Sequence, residues 1–181
     1  LFMLCVYIAP CSAEDVAVTA DSLSYDPNTN SITATKNVHF KHVDGELFGD
    51  RGVGYTDGRD FEMSGSVKGT FKKESLNISC YHIKLQADSA DKKKRRVTAL
   101  GGVKLTRNKD TLSADTVTWL VESDKYKAAG SVLANFESHF IDSDEVGRDG
   151  EKFWARSVRK YEDRARRFSM SAERVNGLIK K

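Results

Sequence analysis

Apolar residues stand at every second position through most of the chain from Val16 onward, and polar side chains fill the positions between them. This period of two places alternate side chains on opposite faces of a β-strand, so each run predicts a strand with one apolar face. Short clusters of turn-forming residues separate the runs, at positions 26–28, 57–58, 107–110, 122–124 and 148–150. Alternating runs joined by such turns predict a meander of antiparallel hairpins.

A degenerate repeat is superimposed on this alternation. Each copy has an apolar residue, a small residue followed by Asp, and then an apolar or aromatic anchor, and its small residues are Ala20, Gly49, Ser79, Ala114 and Ala155. Successive copies are 29, 30, 35 and 41 residues apart, the third copy lacks the Asp, and the last has Arg in its place. A recurrence of this kind is typical of a one-dimensional β assembly.

The predicted strands are long, and many carry a small residue or an Asp near the middle. Residues of this kind favour a bulge or a bend within a strand. Long strands that bend at mid-length predict an all-β fold, a twisted, slightly open antiparallel β-jellyroll built from degenerate hairpin repeats.

The C-terminal segment admits two interpretations. Trp154, Val158, Tyr161 and Phe168 fall at helical spacing with Arg residues on the other face, which is typical of an amphipathic helix. The same segment also continues the earlier alternation with one bulge, which predicts two strands around a turn at 163–164. We favour the two strands because they repeat the pattern of the preceding hairpins.

The beginning of the chain resembles the end of a secretory signal peptide. Residues 1–10 are apolar and uncharged, and the three residues before Glu14 are the small side chains that a signal peptidase reads. We therefore expect residues 1–13 to be the C-terminal part of a signal peptide and residues 14–181 to be a single domain, which is long enough to bury its own core.

Two alternatives to cleavage remain open. The apolar segment is either retained as a membrane anchor or belongs to a lipoprotein signal acylated at Cys11, although Pro10 does not suit the second alternative. Cleavage after Ala13 leaves Cys80 as the single cysteine, so no internal disulfide would form. The fold must then depend on burial and sheet pairing.

The composition provides no evidence for catalysis, a metal or a nucleic-acid partner. The formal net charge of +3 is too small to indicate nucleic-acid binding. The chain has no nucleophile elbow and no phosphate-binding loop, so we predict neither an enzyme nor a cofactor. His39 and His42 would lie on opposite faces of a strand and form no metal pair. The Asp of each repeat is expected to accept hydrogen bonds from backbone amides at the bends.

Two stretches resemble a known family. Residues 20–26 read Ala-Asp-Ser-Leu-Ser-Tyr-Asp, and residues 32–38 read Ile-Thr-Ala-Thr-Lys-Asn-Val. They resemble the opening repeat of the OstA-like family of LptA-type periplasmic proteins, which bridge the membranes in lipopolysaccharide transport, and the resemblance spans residues 16–175. The sequence departs from the family at Lys36, where Gly is common, and at Arg156, which replaces Asp.

The resemblance implies a non-enzymatic periplasmic protein whose apolar interior accepts the acyl chains of lipopolysaccharide. It also implies end-to-end self-association and contacts with inner-membrane and outer-membrane transport components, through pairing of edge strands. One alternative is an LptC-like component of the same system that is tethered to the inner membrane. Another is a structural scaffold or adhesin module that polymerises without carrying lipid.

Two sets of residues are the candidates for lipid contact. The basic run Lys92, Lys93, Lys94, Arg95 and Arg96 is a candidate for contacting phosphates of the head group, or else a solvated hairpin tip. The residues predicted to face the interior share an apolar side chain on the inward phase of their strands. They are Leu23, Tyr25, Ile32, Val38, Phe40, Val53, Tyr55, Phe61, Met63, Val67, Phe71, Ile83, Leu85, Val103, Leu105, Val117, Trp119, Val132 and Phe136.

Overall fold

The computed structural model describes residues 17–43, 45–55, 60–72, 75–87, 95–120, 123, 125–136 and 138–178, and these ranges contain strands and turns but no helix. The predicted all-β fold is confirmed. The predicted signal peptide lies outside the described residues. The strands are β1 (Ala17–Thr19), β2 (Ser22–Asp26), β3 (Ser31–His42), β4 (Gly45–Tyr55), β5 (Phe61–Phe71), β6 (Leu76–Ala87), β7 (Arg95–Arg107), β8 (Asp110–Leu120), β9 (Lys125–Phe136), β10 (His139–Asp149), β11 (Lys152–Asp163) and β12 (Phe168–Leu178).

All strands belong to one antiparallel sheet in which the strands from β2 to β12 each pair with their neighbours in the chain. At the beginning of the sheet, β1 and β2 both pair with β3, so together they form one interrupted edge strand. At the other end, β12 pairs with β11 alone. Among the described residues no pairing joins β12 to the first strands, so the sheet is open and has two free edges.

The C-terminal segment forms two strands, as the alternation predicted, and the helical alternative is wrong. A turn at 164–167 joins β11 to β12. Asp163 is only 5% exposed, and its Oδ1 accepts a hydrogen bond from the backbone amide of Arg166 at 3.0 Å. The amide of Arg164 donates to the carbonyl oxygen of Ser138 at 2.8 Å, which holds this turn against the preceding hairpin.

Nearly every long strand is interrupted near its middle by a bulge. Between β8 and β9, for example, Ser113 pairs with Leu133 and Thr116 pairs with Ala129, so three steps on one strand face four on the other. On the longer side of four such pairings, two consecutive residues adopt positive φ. These left-handed pairs are Lys36 and Asn37, Gly65 and Ser66, Gly101 and Gly102, and Gly130 and Ser131.

The bulges let the sheet fold into two facing layers. The rings of Phe40 on β3 and Phe61 on β5 are 4.5 Å apart although these residues come from opposite halves of their strands. The rings of Phe71 and Trp119 meet edge to face at 6.4 Å although two strands separate β5 from β8 in the sheet. Each strand thus contributes one half to each layer, and the apolar faces of both layers enclose a single interior.

The core is centred on the bulges. A valine follows each of these four pairs, and another follows the single left-handed residue Ser157 in β11. All five valines are at most 4% exposed: Val38, Val67, Val103, Val132 and Val158. β-Branched side chains suit this position because they pack well on a pleated surface. The pattern of a small residue before valine therefore marks the line along which the two layers meet.

The structure corrects the assignment of the repeat. Cys80 lies opposite Val67 on the inner face, so Cys80 and not Ser79 is the small residue of the third copy, with Tyr81 in the place of Asp. Near the C-terminus the equivalent residues are Ser143, which is followed by Asp144, and Ala172, not Ala155. Ser143 on β10 and Ala172 on β12 are 29 residues apart, whereas Ala155 lies on the intervening strand β11.

Candidate functional site

Most residues predicted to face the interior do so. Seven of them are buried in the apolar cluster that joins the two layers: Val38, Met63, Val67, Ile83, Val103, Val117 and Val132. Eight more are partly buried and pack against that cluster: Leu23, Phe40, Phe61, Phe71, Leu85, Leu105, Trp119 and Phe136. The larger, partly exposed side chains lie toward the strand ends, so the interior is fully buried at the bulges and accessible to solvent at its mouth.

Four predicted residues do not join this cluster. Two of them, Tyr25 and Ile32, lie opposite each other at the end of the first hairpin, where Tyr25 is 55% exposed. The prediction is wrong for Val53 and Tyr55, which lie on the outer face. Val53 pairs with Thr33, while the inward position beside it belongs to Gly52, whose neighbours include Val38. The pairing of β4 with β3 and with β5 shifts register between Phe48 and Arg51, so the inward phase of β4 changes from odd positions up to Gly49 to even positions from Gly52.

A cavity of about 200 Å³ opens at the mouth between the two layers. One wall comes from the layer that contains the hairpin between β7 and β8, including Leu105, Leu112 and Phe136. The facing wall comes from the other layer and includes Trp119 and Tyr126. Because aromatic and aliphatic side chains from both layers line it, the cavity continues the apolar core toward solvent.

The mouth also carries charge that sequence reasoning missed. Arg107 and Asp110 line the cavity from one layer, and Lys125 and Arg148 line it from the other. The Nε of Arg148 donates to the carbonyl oxygen of Gly150 at 2.7 Å, and Lys125 Nζ lies 2.9 Å from Asp149 Oδ2. These residues stand near hairpin turns, where charge in a sequence is usually solvated. The inward phase of their strands is a signal for Arg107, Asp110 and Arg148, whereas Lys125 lies beside Tyr126 on the outer phase and gives no such signal.

Tyr126 lies deep in the mouth. Burial raises the pKa of its hydroxyl to about 12, against a smaller lowering by Arg148 and Arg107. At neutral pH the phenol therefore keeps its proton and can donate a hydrogen bond into the cavity.

The basic run is only partly described, since Lys92, Lys93 and Lys94 lie outside the described residues. Arg95 is exposed and begins β7 on the same phase as Val97, toward the mouth, whereas Arg96 is half-buried on the other phase. Both arginines have contacts of their own. Head-group contact by this run stays a prediction.

A second cavity, of about 370 Å³, lies on the outer side of the sheet over β7 to β10. Its lining includes Leu133, which is 46% exposed, and Phe140. The guanidinium of Arg164 lies 5.9 Å from the centre of the Phe140 ring, and the Lys160 ammonium lies 6.0 Å from it. This outer cavity is separated by the sheet from the interior.

The Asp residues of the repeat have structural surroundings. Asn37 Nδ2 donates to both carboxylate oxygens of Asp21, at 3.2 and 3.1 Å. The carboxylates of Asp50 and Asp115 lie against the left-handed Gly65 and Gly130, in space that a β-carbon would fill. In the part of the chain that the structure describes, no group of three or more metal-ligating side chains is assembled. The contacts of Asp21, Asp50 and Asp115 thus join the two strands across the bulges.

The fold defines a class: open, twisted β-jellyrolls whose two layers enclose an apolar interior. The crystal structure of LptH, the LptA homologous periplasmic component of the lipopolysaccharide transport device from Pseudomonas aeruginosa, has this fold. It superimposes with a TM-score of 0.59 and 13% sequence identity over 68% of this chain and 96% of LptH. The jellyroll predicted from the repeat is thus confirmed.

Comparisons of the amino-acid sequence alone find no match. No protein-family model matches the chain, and no curated protein matches it. Within the described residues, there is no helix with the length and apolar character needed to cross a membrane.

Proposed function

We propose that this protein is a non-enzymatic carrier of lipopolysaccharide in the periplasm, which holds the acyl chains between the two layers of its jellyroll. The observation that carries the proposal is the apolar mouth between the layers, lined by Leu105, Trp119 and Phe136. An acyl chain gains about 0.8 kcal/mol for each buried CH₂, so a continuous apolar wall binds it strongly. The shared fold with LptH supports the same function.

The free edges support a further part of the proposal, which is that protomers stack end to end and contact other transport components. β12 presents unpaired backbone groups at one end of the sheet, and β1 with β2 presents them at the other. Pairing of one edge with the opposite edge of a second protomer would continue both the sheet and the apolar interior.

Photo-crosslinking tests whether lipid enters the interior. A photoreactive p-benzoylphenylalanine is placed at Trp119, which faces the mouth, and separately at Thr118, the adjacent residue on the outer phase of β8. Each protein is incubated with lipopolysaccharide, irradiated and analysed for the mass of the adduct. We expect capture at position 119 and none at position 118.

The other outcomes separate the competing functions. Folded variants that capture lipid at neither position would reject lipid carriage and favour a structural scaffold that polymerises through its edges. Equal capture at both positions would indicate adsorption of an amphiphile to the surface and would also contradict the proposal.

A further inference from the structure

The charged rim of the mouth is not used by acyl-chain binding. Three cations, Arg107, Lys125 and Arg148, and one carboxylate, Asp110, line the same cavity as the apolar wall. Charged side chains at the edge of an apolar pocket commonly orient a ligand that has one polar end.

We propose that Arg107 and Arg148 form an anion site at the mouth, which binds the phosphate group of an amphiphile while its hydrocarbon chain lies on Trp119 and Phe136. This site rests on the proposed function, since it assigns the polar end of the carried lipid. Guanidinium groups suit a phosphate because they donate two parallel hydrogen bonds to its oxygens.

The two arginines reach the cavity from opposite layers. Arg107 ends β7 in one layer, and Arg148 lies near the end of β10 in the other. The hydrogen bond from Arg148 Nε to Gly150 orients that guanidinium and leaves its terminal nitrogens for a ligand. The ion pair with Asp149 offsets the charge of Lys125, so the two guanidinium groups supply most of the positive potential.

Two neighbours set the strength of this site. Tyr126 lines the same cavity as the two arginines, and its protonated hydroxyl adds a hydrogen-bond donor to it. Asp110 acts against an anion. It lies opposite Arg107 across the turn and already has a contact of its own, so it reduces the affinity without reversing the charge of the cavity.

The size of the cavity fits a head group. Pockets for drug-sized ligands have roughly 300–1,000 Å³, whereas this cavity has about 200 Å³. It would hold a phosphate with a few attached atoms, and the rest of the amphiphile would extend along the partly buried side chains toward the core.

Binding of three probes to the full chain tests the site. The probes are dodecyl phosphate, the uncharged dodecyl glycerol ether and inorganic phosphate, and the dissociation constants are measured by titration calorimetry. For the unaltered protein we expect dodecyl phosphate to bind about tenfold more tightly than the neutral ether, with inorganic phosphate far weaker than both.

The variants locate that preference. Arg107→Gln combined with Arg148→Gln should abolish the preference for dodecyl phosphate and leave the affinity for the neutral ether unchanged. Asp110→Asn should strengthen dodecyl phosphate binding about threefold, because it removes the opposing charge. Lys68→Gln removes an exposed cation from the outer face and is the matched control, for which no change is expected.

Each contrary result has a distinct meaning. Equal binding of the two amphiphiles, or a preference that survives in the double arginine variant, would overturn the anion site and leave lipid carriage intact. Inorganic phosphate as tight as dodecyl phosphate would overturn the amphiphile as the ligand and indicate a free-anion site. Failure of both amphiphiles to bind would overturn the proposed function itself.

Discussion

At the scale of single residues, the stability of the fold depends on the protonation of one buried thiol. Cys80 is buried in the core and is the free cysteine among the described residues. Burial raises the pKa of its thiol from the ordinary value of 9.0 to about 11, because the thiolate would lose its hydration. A group whose folded pKa is raised stabilises the protein only while it stays protonated.

This shift predicts a loss of stability in mildly alkaline solution. Below pH 9 both states keep the proton, whereas between pH 9 and 11 only the unfolded chain releases it, so the free energy of unfolding falls. We expect a fall of roughly 1 kcal/mol between pH 8 and 10 that is missing in Cys80→Ala. Urea unfolding of both proteins at these pH values measures it.

The range from pH 8 to 10 excludes most of the effect of Tyr126, because its raised pKa lowers the free energy of unfolding mainly above its ordinary value of 10. An identical pH dependence in Cys80→Ala and the unaltered protein would mean that the thiol is not buried in this way.

Two glycines on the inner face predict contrasting effects of one added methyl group. A β-carbon at Gly69 would overlap Leu47 Cδ2 and would lie 3.1 Å from both Ile78 Cγ2 and the carbonyl oxygen of Glu46. At Gly54 the nearest atom is Phe61 Cδ2 at 3.5 Å. We expect Gly69→Ala to lower the free energy of unfolding by about 1–3 kcal/mol through overpacking.

Gly54→Ala is the control, because the same change there meets only ordinary contacts. It should be neutral or stabilising by about 0.5–1 kcal/mol, since alanine orders more easily in a strand than glycine. Thermal or urea unfolding of both variants decides the point, and equal losses would contradict the close packing described at Gly69.

At the scale of elements, the bulges determine which side chains face inward. Gly130 has a φ of +78°, and a β-carbon there would lie 2.7 Å from the β-carbon of Asp115. Gly150 has a φ of +60° in the turn before β11, with no atom within 4 Å of its β-carbon position. The two sites share the left-handed conformation but differ in their surroundings.

This contrast predicts the energetic importance of the bulge. Both Gly130→Ala and Gly150→Ala should lose about 1–2 kcal/mol to the left-handed conformation. Gly130→Ala should lose about 1–3 kcal/mol more, because it also displaces the carboxylate of Asp115. The difference between their free energies of unfolding is the quantity to measure, and similar values would show that Asp115 does not hold the bulge.

The bulges also explain how far the sequence could predict the fold. Alternation was sufficient to identify the strands, the turns and the inward phase of the regular segments, including Val103 and Trp119. It failed at Val53 and Tyr55 because the register shift against the partner strands inverts the inward phase of β4 without changing the composition around it. The inward phase must then be counted again from the other side of the bulge, and a single sequence does not mark that point.

The candidate site was predictable to the same extent. Its apolar wall follows from the alternation, because Leu105 and Phe136 lie on the inward phase of regular segments. Arg107, Asp110 and Arg148 were missed because charge near a turn is ordinarily solvated. These side chains face a cavity only because the bulged sheet places the two halves of each strand in facing layers.

At the scale of the whole molecule, the sheet has two open edges and one continuous interior. Met170 on β12 is partly buried against the core, whereas Ser171 beside it is exposed on the outer phase. Natural β proteins prevent unwanted edge pairing by placing a charge that points inward on an edge strand. The same device can be used to test stacking.

We expect Met170→Lys to weaken self-association at least tenfold, as measured by sedimentation equilibrium, because the ammonium would interrupt the apolar interior at the joint. Ser171→Lys adds the same charge to the same strand on its outer face and should associate like the unaltered protein. Equal association of both variants would exclude β12 as the stacking edge.

The linear order of strands has a consequence for how the protein opens and closes. Because the strands from β2 to β12 pair with one another only as neighbours in the chain, hairpins can form locally and add to one another without a long loop closing first. Opening should therefore begin at the two edges and move inward one hairpin at a time. Amide hydrogen exchange should be fastest in β1, β2 and β12 and slowest in β6 to β8, because the sheet opens from its two edges.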